Sequence, residues 1–403
     1  MMSATRTSGA KVPVSAMDPF GEAFLSDPYP CHEELRALGP VVYLEKYGVY
    51  AIVNDKDIRA VLSDWETFCS SAGVGLSDFR KEEPWRKPSL LLEADPPQHT
   101  RYRTIITRIM APAAVRDLRD SFQAEADLLV EKLVEKRDFD AQAELAEAYP
   151  LKVFPDAVGL APDGRENLLP YGTMAFNAFG PRNALFEEAM AKAETVVPWI
   201  MENCKRSALA PGGFGMKIFE SADSGDLTEE EAELLVRSFL TAGVDTTVNG
   251  LGNALYCFLK NPDQWELLHK EPERAKQAFE EVLRYDGSVQ TFFRTTTQPV
   301  EIQGTQIGEG EKVLCFLAAA NRDPAKWENP AKFDITRRAS GHLGFGTGIH
   351  GCVGQAVARM EAECLLSALA RRVKKIELTA EPVRRLNNTL RGMASLPVRA
   401  TPV

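Results

Sequence analysis

The sequence predicts a mainly α protein carrying small β-sheets, and three observations lead there. Long segments place apolar residues three and four positions apart, the spacing of a buried helical face. Short runs rich in Val, Ile, Tyr and Phe lie between glycine turns. A glycine-rich stretch, 345–354, surrounds one cysteine immediately before a helical pattern.

In chain order, helices are expected over Pro97 to Met110, Asp117 to Glu135, Glu229 to Lys260, Arg274 to Tyr285 and Gly354 to Val373. Strands are expected at Val41 to Leu44, Val49 to Val53, Val300 to Ile302 and Val313 to Phe316, with turns at Gly304 and at Gly308 to Gly310. The segments Pro155 to Gly164 and Leu209 to Gly215 are loop-rich but do not read as linkers. Residues 18–403 are therefore expected to form one domain behind a loose polar tail, 1–17.

Composition narrows the function classes. Hydrophobic residues make up 44% and charged residues 26% of the 403, values that suit a soluble globular chain. The most apolar long segment, Leu234 to Leu259, contains Arg237, Asp245 and Asn249, which are costly in lipid, so no membrane anchor is expected. A net charge of −10 disfavours nucleic acid. Seven cysteines with no CxxC pair argue against a disulfide framework or a zinc site and suit a reducing cytoplasm.

Cys352 stands apart from the other six. In Phe345-Gly346-Thr347-Gly348-Ile349-His350-Gly351-Cys352-Val353-Gly354 it lies where a helix is about to start, and the N–H groups of a helix N-terminus favour a thiolate. Gly346, Gly348 and Gly351 also match a dinucleotide fingerprint, but no buried strand precedes them and too little chain follows for a doubly wound domain. The loop resembles the haem-binding signature of cytochromes P450 at every fixed position. That resemblance implies the triangular P450 fold with haem b, and Cys352 as the axial ligand of its iron. It further implies that Phe345 shields the sulfur, that His350 bonds a propionate, and that N–H groups around Gly354 tune the ligand.

Other segments fit the same resemblance. Glu281 and Arg284, one helical turn apart, are similar to the family's Glu-x-x-Arg pair, and Arg337 after Pro330-x-x-Phe333 to its third member. His99, Arg103 and Arg294 match residues that hold the propionates. Ala242-Gly243-Val244-Asp245-Thr246-Thr247 resembles the oxygen-activating helix, with Gly243 admitting haem and O2, Asp245 relaying protons and Thr246 bonding dioxygen or its water.

Similarity running from Asp18-Pro19-Phe20 to the final strand is strongest to bacterial P450s that demethylate para-methoxybenzoate, carried by stretches such as Pro88 to Pro97, Phe176 to Pro181 and Asn387 to Gly392. It implies that Arg86, Ser89, Arg237 and Ser238 hold a substrate carboxylate. It also implies that Leu92, Phe176, Phe179, Val244, Val289 and Phe292 wall the aromatic ring, with Thr241 a departure that reshapes the pocket. The expected reaction is O2-dependent demethylation of 4-methoxybenzoate to 4-hydroxybenzoate and formaldehyde. Electrons are expected from an iron–sulfur ferredoxin and its flavin-dependent reductase, docking partly on Arg101, Arg108, Arg116 and Arg119. The rival readings are another small aromatic substrate, a peroxide-driven haem-thiolate enzyme, or a haem-binding protein without turnover.

Overall fold

A computed structural model describes residues 12–403. The first eleven residues of the expected tail lie outside the described residues, and its remainder departs from that expectation. Val14–Ser15 (β1) pairs in parallel with Val41–Leu44 (β2), Val14 opposite Tyr43. The sheet continues through Val49–Ile52 (β3), and includes Phe68–Cys69 (β4), Thr291–Thr296 (β5) and Lys312–Phe316 (β6). Its strand order is β1-β2-β3-β6-β5-β4. All five residues of β6 are buried because it is an interior strand, parallel to β3 and antiparallel to β5. Between the paired segments Val300–Ile302 and Thr305–Ile307, Gln303 (φ 50°) and Gly304 (φ 81°) both adopt left-handed conformations, as a two-residue hairpin turn requires.

Helices form the rest of the core. Gln98–Ile109 (α1), Arg119–Lys136 (α2), Leu168–Asn177 (α3), Glu229–Ala242 (α4), Asp245–Lys260 (α5), Ala275–Asp286 (α6) and Gln355–Arg372 (α7) follow in sequence. Helix α5 is buried along most of its length, with Val248, Leu251, Ala254, Leu255 and Phe258 all at 1% exposure or less, and it packs against both α6 and α7. A capping box starts α4: the Glu231 amide donates to Thr228 Oγ1 (3.1 Å) and the Thr228 amide to Glu231 Oε2 (2.8 Å).

Two expectations are corrected. The loop-rich segment beginning at Pro155 starts inside a helix, Ala148–Val158, where Phe154, Pro155 and Val158 are buried. The single helix expected over 229–260 is two, broken at Gly243 and Val244. Side chains replace the missing rungs there: Thr246 Oγ1 donates to the Ala242 carbonyl (2.9 Å) and Asn249 Nδ2 to that of Asp245 (2.7 Å). Helical periodicity runs through the break in phase, which is why apolar spacing alone reads one helix.

Candidate active site

The cysteine loop is fixed by its own backbone. The Cys352 amide donates to the Phe345 carbonyl (2.8 Å) and the Gly346 amide to that of Leu343 (2.9 Å). Gly348 has φ +69°, and a Cβ there would meet the Leu62 carbonyl oxygen at 2.5 Å, so the turn requires glycine. Burial pushes the Cys352 thiol up, while the amides of Gly354 and Gln355 and the cations Arg103 and Arg359 favour its thiolate. Phe345 packs on His342 (5.8 Å between centroids) under the guanidinium of Arg359 (4.4 Å).

Behind this loop, Glu281 is fully buried. Arg284 meets it through two bonds, Nε to Oε2 (2.7 Å) and Nη2 to Oε1 (2.8 Å), and Arg337 Nε adds a third at 3.2 Å. The remaining Arg284 hydrogens go to the carbonyls of Asn321, Pro330 and Lys332. A buried ion cluster survives only when satisfied in this way. The three predicted bracing residues therefore meet.

Across the chain, the break between α4 and α5 presents Asp245 and Thr246. Asp245 is 1% exposed, and burial raises its carboxyl to about 6 against the hydrogen bonds of Thr173 and Asn249. Thr173 Oγ1 lies 3.4 Å from Oδ2, and Asn249 Nδ2 donates to Oδ1 at 3.1 Å. Such a value suits a group that takes and releases protons near neutrality. A Cβ at Gly243 would meet Phe154 Cε1 at 2.1 Å, so glycine is needed there for the packing of Phe154.

Five of the six predicted ring-wall residues converge. Phe176, Phe179, Leu92, Val289 and Phe292 form one cluster, with Phe179 5.7 Å from Phe176 and 5.9 Å from Phe292 between ring centroids. Val74 and Leu390 complete it and were not expected; nothing in their local sequence separates them from ordinary core. Val244 is instead part of the large helical core. Leu92 joins the cluster to the polar end, because its amide donates to Ser89 Oγ (3.2 Å), which lies 3.4 Å from Ser238 Oγ. Thr241 Oγ1 donates to the Arg237 carbonyl within α4 (2.8 Å). Arg86, expected to face a ligand, is already ion-paired to buried Glu93 at 3.0 Å.

Comparison with known proteins places this arrangement. The chain is 55% identical over 395 residues to cytochrome p450 CYP199A2 of Rhodopseudomonas palustris, covering 98% of this chain and 96% of that protein. It is 33% identical to the cytochrome P450 monooxygenase PikC of Streptomyces venezuelae, covering 97% and 95%. The chain belongs to the cytochrome P450 family. The family's sequence model matches residues 213–398. Among solved structures, cytochrome P450 CREJ in complex with (4-ethylphenyl) dihydrogen phosphate superposes with a TM-score of 0.87 at 28% identity, covering 95% of this chain and 99% of that one. CalO2 gives 0.85 at 26%, covering 96% and 99%.

The residues present fit the haem b of a P450. His99 and His350 lie 4.4 Å apart between ring centroids, and the Nε2 of each is buried without a hydrogen-bond partner among the described residues. Burial, with the neighbouring His350 and Arg103, holds His99 down at about 4. Arg294 is 4% exposed, and the one hydrogen bond of its guanidinium among the described residues is to the Phe293 carbonyl (2.8 Å). Neither it nor Arg103 has an ion-pair partner among those residues. Orphaned donors and uncompensated cations of this kind suit two propionates. The carboxylate of Asp95, engaged by the amides of Ser70 (3.0 Å) and Ser71 (2.9 Å), also stands 3.9 Å from His350 Nε2, beyond hydrogen-bond distance.

Arginines of the expected docking face have acidic neighbours. Arg101 pairs with Glu231 (2.8 Å), Arg108 with Asp226 (3.0 Å) and Arg119 with Glu363 (3.1 Å), so three of its four arginines are neutralised by acids the linear sequence holds far away. No helix among the described residues is long and apolar enough to cross a membrane.

Proposed function

We propose that this P450 monooxygenase oxidises para-substituted benzoic acids, with O-demethylation of 4-methoxybenzoate to 4-hydroxybenzoate and formaldehyde as its leading reaction. The observation that carries the proposal is the continuity of one aromatic-walled cluster with a cationic, hydroxyl-lined end. An aromatic acid needs both, since its ring gains from burial and its carboxylate must be paired when desolvated.

Haem b, held by Cys352 and by His99, Arg103, Arg294 and His350, supplies the oxygen chemistry, and the polypeptide supplies position and protons. Arg237 and the Ser89 hydroxyl hold the carboxylate, with Ser238 beside Ser89 at the same polar end. Phe176, Phe179 and Phe292 then hold the ring so that its para substituent is the part presented for oxidation. Asp245 gives a proton from Oδ2 or Oδ1 and regains one from its hydrogen-bonded surroundings, while the Thr246 hydroxyl passes protons at the helix break. Electrons would come from a separate ferredoxin and its reductase in the cytoplasm, a setting that suits the six cysteines other than Cys352 as unpaired thiols.

Spin-state titration of the haem band with ortho, meta and para methoxybenzoates tests this reading. The para acid should bind tightly and yield formaldehyde with a surrogate ferredoxin chain. Equal binding of 2-methoxybenzoate, or product formation only with peroxide and none with NADH, would reject it.

A further inference from the structure

An acid-binding site has no evident use for a buried carboxylate, yet Glu93 lies in the wall of this one with its side chain 2% exposed. It is held firmly. The Ser89 amide donates to Oε2 (2.7 Å), the Glu93 amide returns to the Ser89 carbonyl (3.0 Å), and Arg86 Nη1 stands 3.0 Å from the same Oε2. Arg86 Nη1 (2.9 Å) and Arg237 Nη2 (2.6 Å) both donate to one carbonyl oxygen, that of Lys87. Two guanidinium groups thus converge on a single carbonyl oxygen, and one carboxylate is paired with the first of them. Arg237 is 5% exposed and has no ion-pair partner among the described residues. Lys87 itself points outward and pairs with Glu230 at the surface.

We infer that Glu93 is the residue that sets the charge selectivity of the pocket: by neutralising Arg86 it leaves one surplus positive charge, on Arg237, and so matches the site to a monoanion. This rests on the aromatic-acid reading of the site. Without Glu93, two adjacent cations would repel each other and favour a dianionic headgroup; with it, a second negative charge on the ligand finds no partner and carries its desolvation cost. Glu93 touches no reacting atom and acts through Arg86, so it is a positioning residue.

The test compares three para-methoxy ligands on the haem-loaded enzyme at about pH 8, above the second ionisation of a phosphonate: 4-methoxybenzoate, neutral 4-methoxybenzamide and dianionic 4-methoxyphenylphosphonate. The wild type should prefer the carboxylate over both others. Glu93→Gln should move the phosphonate-to-carboxylate affinity ratio about tenfold or more towards the phosphonate. Glu93→Asp, which keeps the charge, should move it less than about threefold. The double variant Arg86→Gln, Glu93→Gln should return near the wild-type ratio, because it removes a neutral pair. An unchanged ratio in Glu93→Gln overturns the inference while leaving the aromatic-acid reading intact; a wild type that binds benzamide as tightly as benzoate overturns both. If Glu93→Gln does not load haem, Arg86→Gln decides: it leaves Glu93 unpaired beside Arg237 and should abolish the preference for the acid over the benzamide, and an unchanged preference overturns the inference.

Discussion

The two sides of the haem site are built on different plans. On the thiolate side, residues adjacent in sequence do the work: eight residues separate Phe345 from Gly354, and Glu281 and Arg284 share one turn of α6. On the substrate side, the wall and its polar end come from at least six segments, around Val74, 86–93, 176–179, 237–245, 289–292 and Leu390. The first plan gives backbone-fixed rigidity, with glycine φ values that tolerate little change. The second lets single residues in separate loops reset size and charge without touching the ligand loop. Chemistry held constant and selectivity left adjustable is what that division permits.

The largest expected effect lies on the thiolate side. Cys352→Ala should abolish the red-shifted ferrous carbonyl band, whereas Cys364→Ala, in the buried face of α7, should leave it in place. Glu281→Ala should follow, because it strands Arg284 at 1% exposure, and breaking such a pair costs about 3–5 kcal/mol. The measurement is denaturant unfolding of haem-loaded protein. A loss below about 1 kcal/mol would mean that the cluster is not a brace.

On the distal side, Asp245 separates function from stability. Its carboxyl is raised from the ordinary value to about 6, so the folded state holds the proton more tightly than the unfolded chain. Such a group costs stability as pH rises through the window from about 4 to about 6, and the cost is complete above it. Asp245→Asn should therefore be more stable than wild type at pH 8 by about 1–3 kcal/mol, should lose that advantage below about pH 4, and should turn over slowly. Equal pH dependence of unfolding in both proteins would break the comparison, since Asp245 would then be another braced group like Glu281.

Legibility in the sequence follows the same division. The cysteine loop and the Glu281, Arg284 and Arg337 cluster were legible through their resemblance to family motifs, and the three charged residues meet in the structure. Physical reading of the chain did not reveal Glu93, although it is a lone charge at the end of the apolar run Leu90-Leu91-Leu92, four residues after Ser89. A charge in such a run is costly unless paired, and that was the available signal. The break at Gly243 was equally hidden, because helical spacing continues across it; a glycine in mid-helix was the only local sign. Pairing of Arg101 with Glu231 and of Arg119 with Glu363 depends on tertiary contacts across more than a hundred residues, which no local pattern encodes.

The smallest expected effect sharpens the substrate side to single hydroxyl protons. Ser238 Oγ donates along its own helix to the Leu234 carbonyl (3.0 Å), so its proton is already used. Ser89 Oγ accepts from the amides of Leu91 (3.3 Å) and Leu92 (3.2 Å), which leaves its own proton free for the ligand or for Ser238 at 3.4 Å. The two serines, similar in sequence terms, should then differ in what they contribute. Ser89→Ala should weaken 4-methoxybenzoate binding by about 1–2 kcal/mol, because the anion loses its hydroxyl donor, and Ser238→Ala by less than about 0.5 kcal/mol. Spin-state titration of both variants gives the comparison directly. Affinity for 4-methoxybenzamide should change less than about threefold in each, since a neutral amide gains little from a charge-assisted bond. If Ser238→Ala instead costs as much as Ser89→Ala, the Ser238 hydroxyl must leave Leu234 when the acid binds, and the polar end is rebuilt by its ligand.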